Sequence, residues 1–295
     1  MITVDPKEIA TSLLHSHLLA AVAPRPIAFA STMDKHGNPN LSPFSFFNVF
    51  GVNPPIAIFS PARRVKNNTI KHTLENAMET GEVVINIVNY AMVQQASLAS
   101  TEYAKGVNEF EKSGFTAIPS VKVKPFRVKE SPVQLECKVQ DIIHTGTEGG
   151  AGNLIVCEIV LVHISEDVLD ANGKIDQHKI DVVGRLGADW YVRANGNALF
   201  EVQKPLTTMG MGIDSLPEKI RDSHVLTGNN LGQLGNVEKM PTIEESKAFI
   251  QSDDWKKIIN DSELNLASTN NDHEIASLLL DKGLVKEAWY WLVSL

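Results

Sequence analysis

The chain has 295 residues, of which 43% are hydrophobic and 21% charged, and it carries a formal charge of −8. This usage excludes general disorder, because there is ample apolar surface to bury, and no uninterrupted apolar run of about 18 residues marks a membrane span. The acidic balance argues against nucleic acid as a partner, since phosphate backbones are bound by basic stripes.

The first residues, Met1 to Glu8, lack the basic start and apolar run of a secretory leader. Two cysteines, Cys137 and Cys157, cannot build a disulfide framework, so a reducing cytoplasm is the expected location. Residues 5–17 are expected to form a helix. Pro24-Arg25-Pro26 opens a strand over 27–32, and the turn residues 34–39 suggest a hairpin. Asn53-Pro54-Pro55 precedes a second strand over 56–60. Asn67-Asn68-Thr69 offers capping chemistry for a helix over 70–79, which Gly81 would stop. The β-branched run 83–88 reads as a strand. Weaker helices are expected over 91–100 and 107–112. Residues 134–140 alternate apolar and polar, and 154–164 are rich in Val and Ile. Strands separated by turn signals at this spacing favour an antiparallel barrel or sandwich.

The composition changes near Pro205, which divides the chain into 1–205 and 206–295. The first part carries 19 basic and 21 acidic side chains and the second 8 and 14, so most of the negative charge is C-terminal. Residues 205–235, rich in Gly, Pro and Asn, are expected to be irregular. Thr242-Ile243-Glu244-Glu245 has capping-box spacing before a helix ending at 251. Two more helices are expected over 272–282 and 285–293, on either side of Gly283.

Several chemistries are excluded by pattern. The glycine loop 146–152 lacks the G-x-G-x-x-G order and leads into a strand. There is no Walker A sequence, no C-x-x-C and no G-x-S-x-G. His15 and His17 would point to different sides of a helix, and His273-Glu274 lacks the second His of a zincin, so no metal site is expected.

One window stands out. From Lys35 to Leu74 there is no acidic residue, yet Lys35, Arg63, Arg64, Lys66 and Lys71 fall there. This is either an ordinary solvated face or a pocket for a small anion. Ser45 and Asn48 would supply hydrogen bonds beside the aromatic surface of Phe44, Phe46 and Phe47. Lys71 and Thr73, helped by Arg63, Arg64 or Lys66, would hold a phosphate. Apolar walls, a few polar groups and an anion clamp suit a phosphorylated aromatic cofactor.

The run P-R-P-I-A-F-A-S-T at 24–32, then N-L-S-P-F-S-F-F-N at 40–48, then K-H-T-L-E-N at 71–76 resembles the flavin reductase-like, FMN-binding split-barrel family. Flavoredoxin and the reductase components of two-component monooxygenases belong to it. Gly106-Val107-Asn108-Glu109-Phe110, Glu136-Cys137, and Arg185-Leu186-Gly187 with Tyr191 match further family pieces in order, so the resemblance spans about residues 10–200. It implies a mainly β fold: an antiparallel, Greek-key-like split β-barrel with peripheral helices, here with a C-terminal helical extension. It also implies a homodimer with FMN near the subunit interface, NADH or NADPH as transient reductant, and a possible monooxygenase partner. The ring is assigned to the Arg25, Pro26 and Ile27 segment and to Ser45, Phe46, Phe47 and Asn48. The phosphate is assigned to Lys71 and Thr73, with Arg63 or Arg64. Ser31, Thr32, Asn40, Ser60 and His72 complete the expected cofactor contacts. His72 stands where the family has Asp. The implied activity is NAD(P)H:flavin oxidoreduction. A non-enzymatic FMN electron carrier or redox-responsive binder remains an alternative, as does a split barrel that takes another phosphorylated ligand. The extension would cover the flavin edge or enlarge the dimer contact.

Overall fold

A computed structural model describes residues 1–261, 264 and 266–295. The chain divides into two compact units, Met1–Phe200 and Glu201–Leu295.

In chain order the first unit holds helix α1 (Thr11–Ala21) and strands β1 (Ala28–Met33), β2 (Pro39–Phe44), β3 (Phe47–Val52) and β4 (Pro55–Phe59). Helix α2 (His72–Thr80), strand β5 (Glu82–Ile87) and helices α3 (Val93–Leu98) and α4 (Glu109–Ser113) follow. Then come β6 (Ala117–Ile118), β7 (Arg127–Val128), β8 (Val133–His144), β9 (Asn153–Ile164), α5 (Gln177–Ile180), β10 (Val183–Arg185) and β11 (Tyr191–Arg193). Seven strands form one sheet in the order β2-β1-β5-β8-β9-β4-β3, and every pairing is antiparallel.

The period-two alternation of strands explains two cores from one sheet. Ala28 and Ala30 of β1 face a cluster with Phe59, Leu74, Ile85 and Cys157. Phe29, between them, faces the opposite cluster with Leu41, Met92 and Phe110. β8 and β9 are 12 residues each, and bulges between Glu136 and Cys137 and between Val139 and Asp141 bend the pair.

Several boundaries differ from the sequence expectation. The first helix begins at Thr11, not Asp5, because Asp5 closes a turn on itself: its carboxylate accepts from Lys7 N at 2.8 Å. The helix expected from residue 70 starts at His72. Asn67 Oδ1 accepts from Thr69 Oγ1 at 2.8 Å, and Arg64 N donates to Thr69 O at 2.9 Å, so these residues form a loop rather than a cap. Gly81 ends α2 with φ 68°, the left-handed conformation glycine favours.

The second unit is helical. Its helices are α6 (Glu218–Arg221), α7 (Gly228–Gly235), α8 (Ile243–Ile250), α9 (Asp253–Ile259), α10 (Asp272–Asp281) and α11 (Val285–Ser294). Residues 205–235 are thus not wholly irregular. Thr227 caps α7 in a capping box with Asn230, an amide replacing the usual Glu or Gln. The core of this unit gathers Leu234, Trp255, Leu279, Leu280 and Trp289. Trp289 Nε1 donates to Leu234 O at 3.1 Å, and Trp255 stacks on Trp291 at 5.4 Å. Among the described residues, no helix is long and apolar enough to cross a membrane, and no group of three or more His, Cys, Asp or Glu could hold a metal ion.

Candidate functional site

β4 delivers the chain to the candidate site. Just beyond it, Ser60 N donates to Phe46 O at 2.8 Å, and Ser60 Oγ accepts from Asn153 N at 3.0 Å. Arg63 N then donates to Ala151 O at 2.9 Å, and Gly150 N to Arg63 O at 3.0 Å. The glycine loop 146–152 therefore grips the basic segment through backbone contacts. A Cβ on Gly149 would stand 3.0 Å from Val65 O and 3.1 Å from Val65 Cα, so a side chain here would require the backbone of residues 64–65 to shift by a few tenths of an ångström.

Two of the expected cations converge. Arg64 Nε and Lys71 Nζ each lie 2.8 Å from the same Glu102 oxygen, Oε1. Arg64 is held in place by Thr69 Oγ1 at 3.0 Å and by the carbonyl of Ile70. The hydrogen bond from Lys71, then that from Arg64, brings the Glu102 carboxyl down to about 2. Arg63 turns away from this pair: its guanidinium donates to Asn68 Oδ1 and to Asn68 O, both at 2.6 Å.

The expected hydroxyl and amide contacts fall into a different place, beneath α2. Asn40 Nδ2 donates to Thr73 Oγ1 at 2.8 Å, and Asn76 Nδ2 donates to Thr32 Oγ1 at 3.1 Å. All four side chains are buried. They fasten the helix to β1 and β2, and the geometry brings them to each other rather than to the Arg64–Lys71 pair. Ser31 Oγ is buried and has no hydrogen-bond partner among the described residues. His72 lines a cleft with Asn40, Asn76, Lys105 and Glu109. Burial lowers its pKa, more strongly than nearby Glu75 raises it.

Arg25 is a tie within the first unit. Its guanidinium donates to Val22 O at 2.8 Å, to Leu186 O at 2.9 Å, to Ser45 Oγ at 3.3 Å and to Leu19 O. It thus joins the end of α1, the loop after β10 and the turn between β2 and β3. Pro26 is exposed, whereas Ile27 belongs to the core with Phe29. Phe47 packs on the core with Phe59, while Phe46 and Asn48 are exposed. Phe46, through its carbonyl on Ser60, sits at the same end of β4 from which the basic segment departs.

A family described as "Flavin reductase like domain" matches residues 20–179. The chain belongs to that family. The matched span lies within the first unit of this flavin reductase-like protein. Its relatives include an uncharacterised protein of Aquifex aeolicus, 36% identical over 196 residues, covering 66% of this chain and 97% of that one. Among solved structures, nitrilotriacetate monooxygenase component B from Bacillus cereus is similar with a TM-score of 0.64 and 27% identity, over 68% of this chain and 98% of that one. A Shewanella frigidimarina protein described as a flavin reductase with a split barrel domain is similar with a TM-score of 0.57 and 28% identity, over 67% and 95% of the two chains. The seven-stranded antiparallel sheet is accordingly the split barrel of this family, and the family carries flavin-directed, oxidoreductase-like function.

Sequence reasoning missed two acidic residues of this flavin reductase-like chain. Glu102 meets Arg64 and Lys71 from 38 and 31 residues away, a separation no local pattern reveals. Glu109 is 4% exposed and accepts from Leu41 N at 3.1 Å, and burial raises its pKa. Only the family-like G-V-N-E-F run hinted at it.

Proposed function

We propose that the chain binds FMN and catalyses hydride transfer from NADH or NADPH to flavin, working as a homodimer. The observation that carries this reading is the convergence of Arg64 and Lys71 on one carboxylate oxygen, at the end of β4 that also presents Phe46. Two cations that already grip a carboxylate have the donor chemistry a phosphate requires. Phe46, an exposed aromatic residue whose carbonyl holds Ser60 where the basic segment leaves β4, suits a flat ring.

When bound, FMN supplies the hydride-accepting ring. Lys71 and Arg64 would bind the phosphate, and the glycine loop 146–152 would keep the Arg64 backbone in place. The backbone of Ser45 to Asn48 and of Arg25 to Ile27 is assigned to the ring, where donors offset negative charge on the reduced flavin. Arg25 acts there through Ser45, whose hydroxyl it orients. Thr32, Asn40, Thr73 and Ser60 act as supports for these segments. Hydride transfer itself needs no protein acid or base.

Apolar exposure supports the homodimer. α1 buries no residue, and Leu13, Leu18 and Val22 are exposed on or beside it. Phe46, Val49, Phe50 and Val52 are exposed on or beside β3, an edge strand of the sheet. Apolar surface on an unpaired edge calls for a cover, and a second copy provides one. The likeness to a monooxygenase component B supports transfer of reduced flavin to a partner monooxygenase.

The test is an absorbance spectrum of the purified protein, taken without oxygen before and after NADH or NADPH. Flavin bands that bleach are expected. Bands that persist with both nucleotides would indicate an electron carrier instead, and a protein that takes up no FMN would overturn the cofactor assignment.

A further inference from the structure

We propose that Glu102 is a built-in counter-ion that occupies the anion position between Arg64 and Lys71, and that a ligand phosphate must displace it. This exchange makes Glu102 a determinant of the preference for FMN over unphosphorylated riboflavin. The inference rests on the flavin reading above.

The geometry is that of an occupied anion site. A single oxygen, Glu102 Oε1, takes both cations at 2.8 Å each. Arg64 is anchored from behind by Thr69 and Ile70, so its fork stays aimed at this point whether or not the carboxylate is there. Exposure is unequal across the cluster. The Glu102 side chain is 59% exposed, against 17% for Arg64 and 31% for Lys71. The carboxylate can therefore swing into water while the anchored Arg64 guanidinium keeps its position. Its segment runs between α3 and α4 through turns such as Tyr103 N to Thr101 O, outside any regular element.

The energetics follow from charge. A carboxylate brings one negative charge and two acceptor oxygens, whereas a phosphate monoester brings about −1.5 to −2 and three. Exchange of the first for the second gains attraction to both cations, less the attraction Glu102 gives up. Riboflavin has no phosphate and leaves Glu102 where it is. Neutralising Glu102 should thus strengthen FMN binding and leave riboflavin binding alone. Because its carboxyl is held at about 2, Glu102 stays ionised at ordinary pH, and proton uptake does not gate the exchange.

The experiment compares the full-length wild type with Glu102→Gln and Glu102→Ala. Dissociation constants for FMN and riboflavin are measured by fluorescence quenching. The expected result is FMN binding about five- to tenfold tighter in both variants, the scale of one or two partly exposed ion pairs, with riboflavin unchanged. FMN binding that is unchanged or weaker would overturn the proposal, as would equal tightening of both flavins. Inorganic phosphate, titrated into the same proteins by thermal shift, separates this proposal from the flavin reading. If no variant binds flavin but the Glu102 variants bind phosphate more tightly than wild type, the exchange stands and the flavin reading falls. If phosphate also fails to distinguish them, the exchange falls.

Discussion

Asn40 on β2 donates its side-chain amide to the Thr73 hydroxyl in the first turn of α2, at 2.8 Å and out of contact with water. The bond fixes the helix whose N-cap is Lys71, and so it positions a proposed phosphate ligand from beneath. Asn40→Ala strands the Thr73 hydroxyl, and a buried group left without its partner costs about 1–3 kcal/mol. Chemical denaturation should register that loss, and a change under about 0.5 kcal/mol would mean the bond adds nothing net.

Lys71→Ala should weaken FMN binding by a charge-assisted contact, about 1.5–3 kcal/mol. Partial exposure of Lys71 places the value toward the lower end. Equilibrium titration with FMN is the measurement, and an unchanged dissociation constant would remove Lys71 from the site.

Gly149→Ala would drive a methyl group against the Val65 backbone, at 3.0 Å from its oxygen and 3.1 Å from its Cα. No flexible side chain stands there to give way. A penalty of about 1–3 kcal/mol in stability is expected, as for overpacking elsewhere. Flavin affinity should fall with it, because Arg64 is carried on the displaced segment. Unaltered stability and affinity together would show that the loop moves freely over residues 63–65.

Burial raises the pKa of Glu109 above its ordinary 4.5. A carboxyl shifted upward contributes stability that is complete below the unfolded-state value and is lost as the pH rises through the folded-state value. Glu109→Gln keeps an acceptor for Leu41 N and removes the buried charge. The variant should be more stable than wild type at pH 8, with no such advantage at pH 4. Denaturation midpoints at the two pH values decide the matter, and a variant less stable at pH 8 would show that the carboxylate is better accommodated than its burial implies.

The strands with strong β-branched or alternating patterns, β5, β8 and β9, were legible within a residue or a few of their ends. β2 and β3 were not, because Pro39 and Pro43 punctuate β2 and because both are edge strands, which need no unbroken pattern. α7 was hidden by its glycines and asparagines, since its capping box uses Asn230. The basic segment was legible as chemistry, and the structure brings Arg64 and Lys71 together. What local sequence could not reveal is which polar residues face one another. Arg25 and Ser60 look like ligands in a motif, yet in the structure they bond carbonyls, a backbone amide and the Ser45 hydroxyl, up to 161 residues away.

The place of β4 in the sheet has a consequence for biosynthesis. β4 lies between β3 and β9, and its pairing with β9 joins Phe59 to Ile155. At roughly 5–20 residues per second, a ribosome needs about 5–20 s to travel that interval. Once the β3–β4 hairpin has cleared the exit tunnel, it waits through the rest of that interval with its later neighbour not yet made. Ala57 and Phe59 of β4, fully buried in the finished fold, are then uncovered on a nascent chain, and chaperone demand should be greatest before β9 emerges.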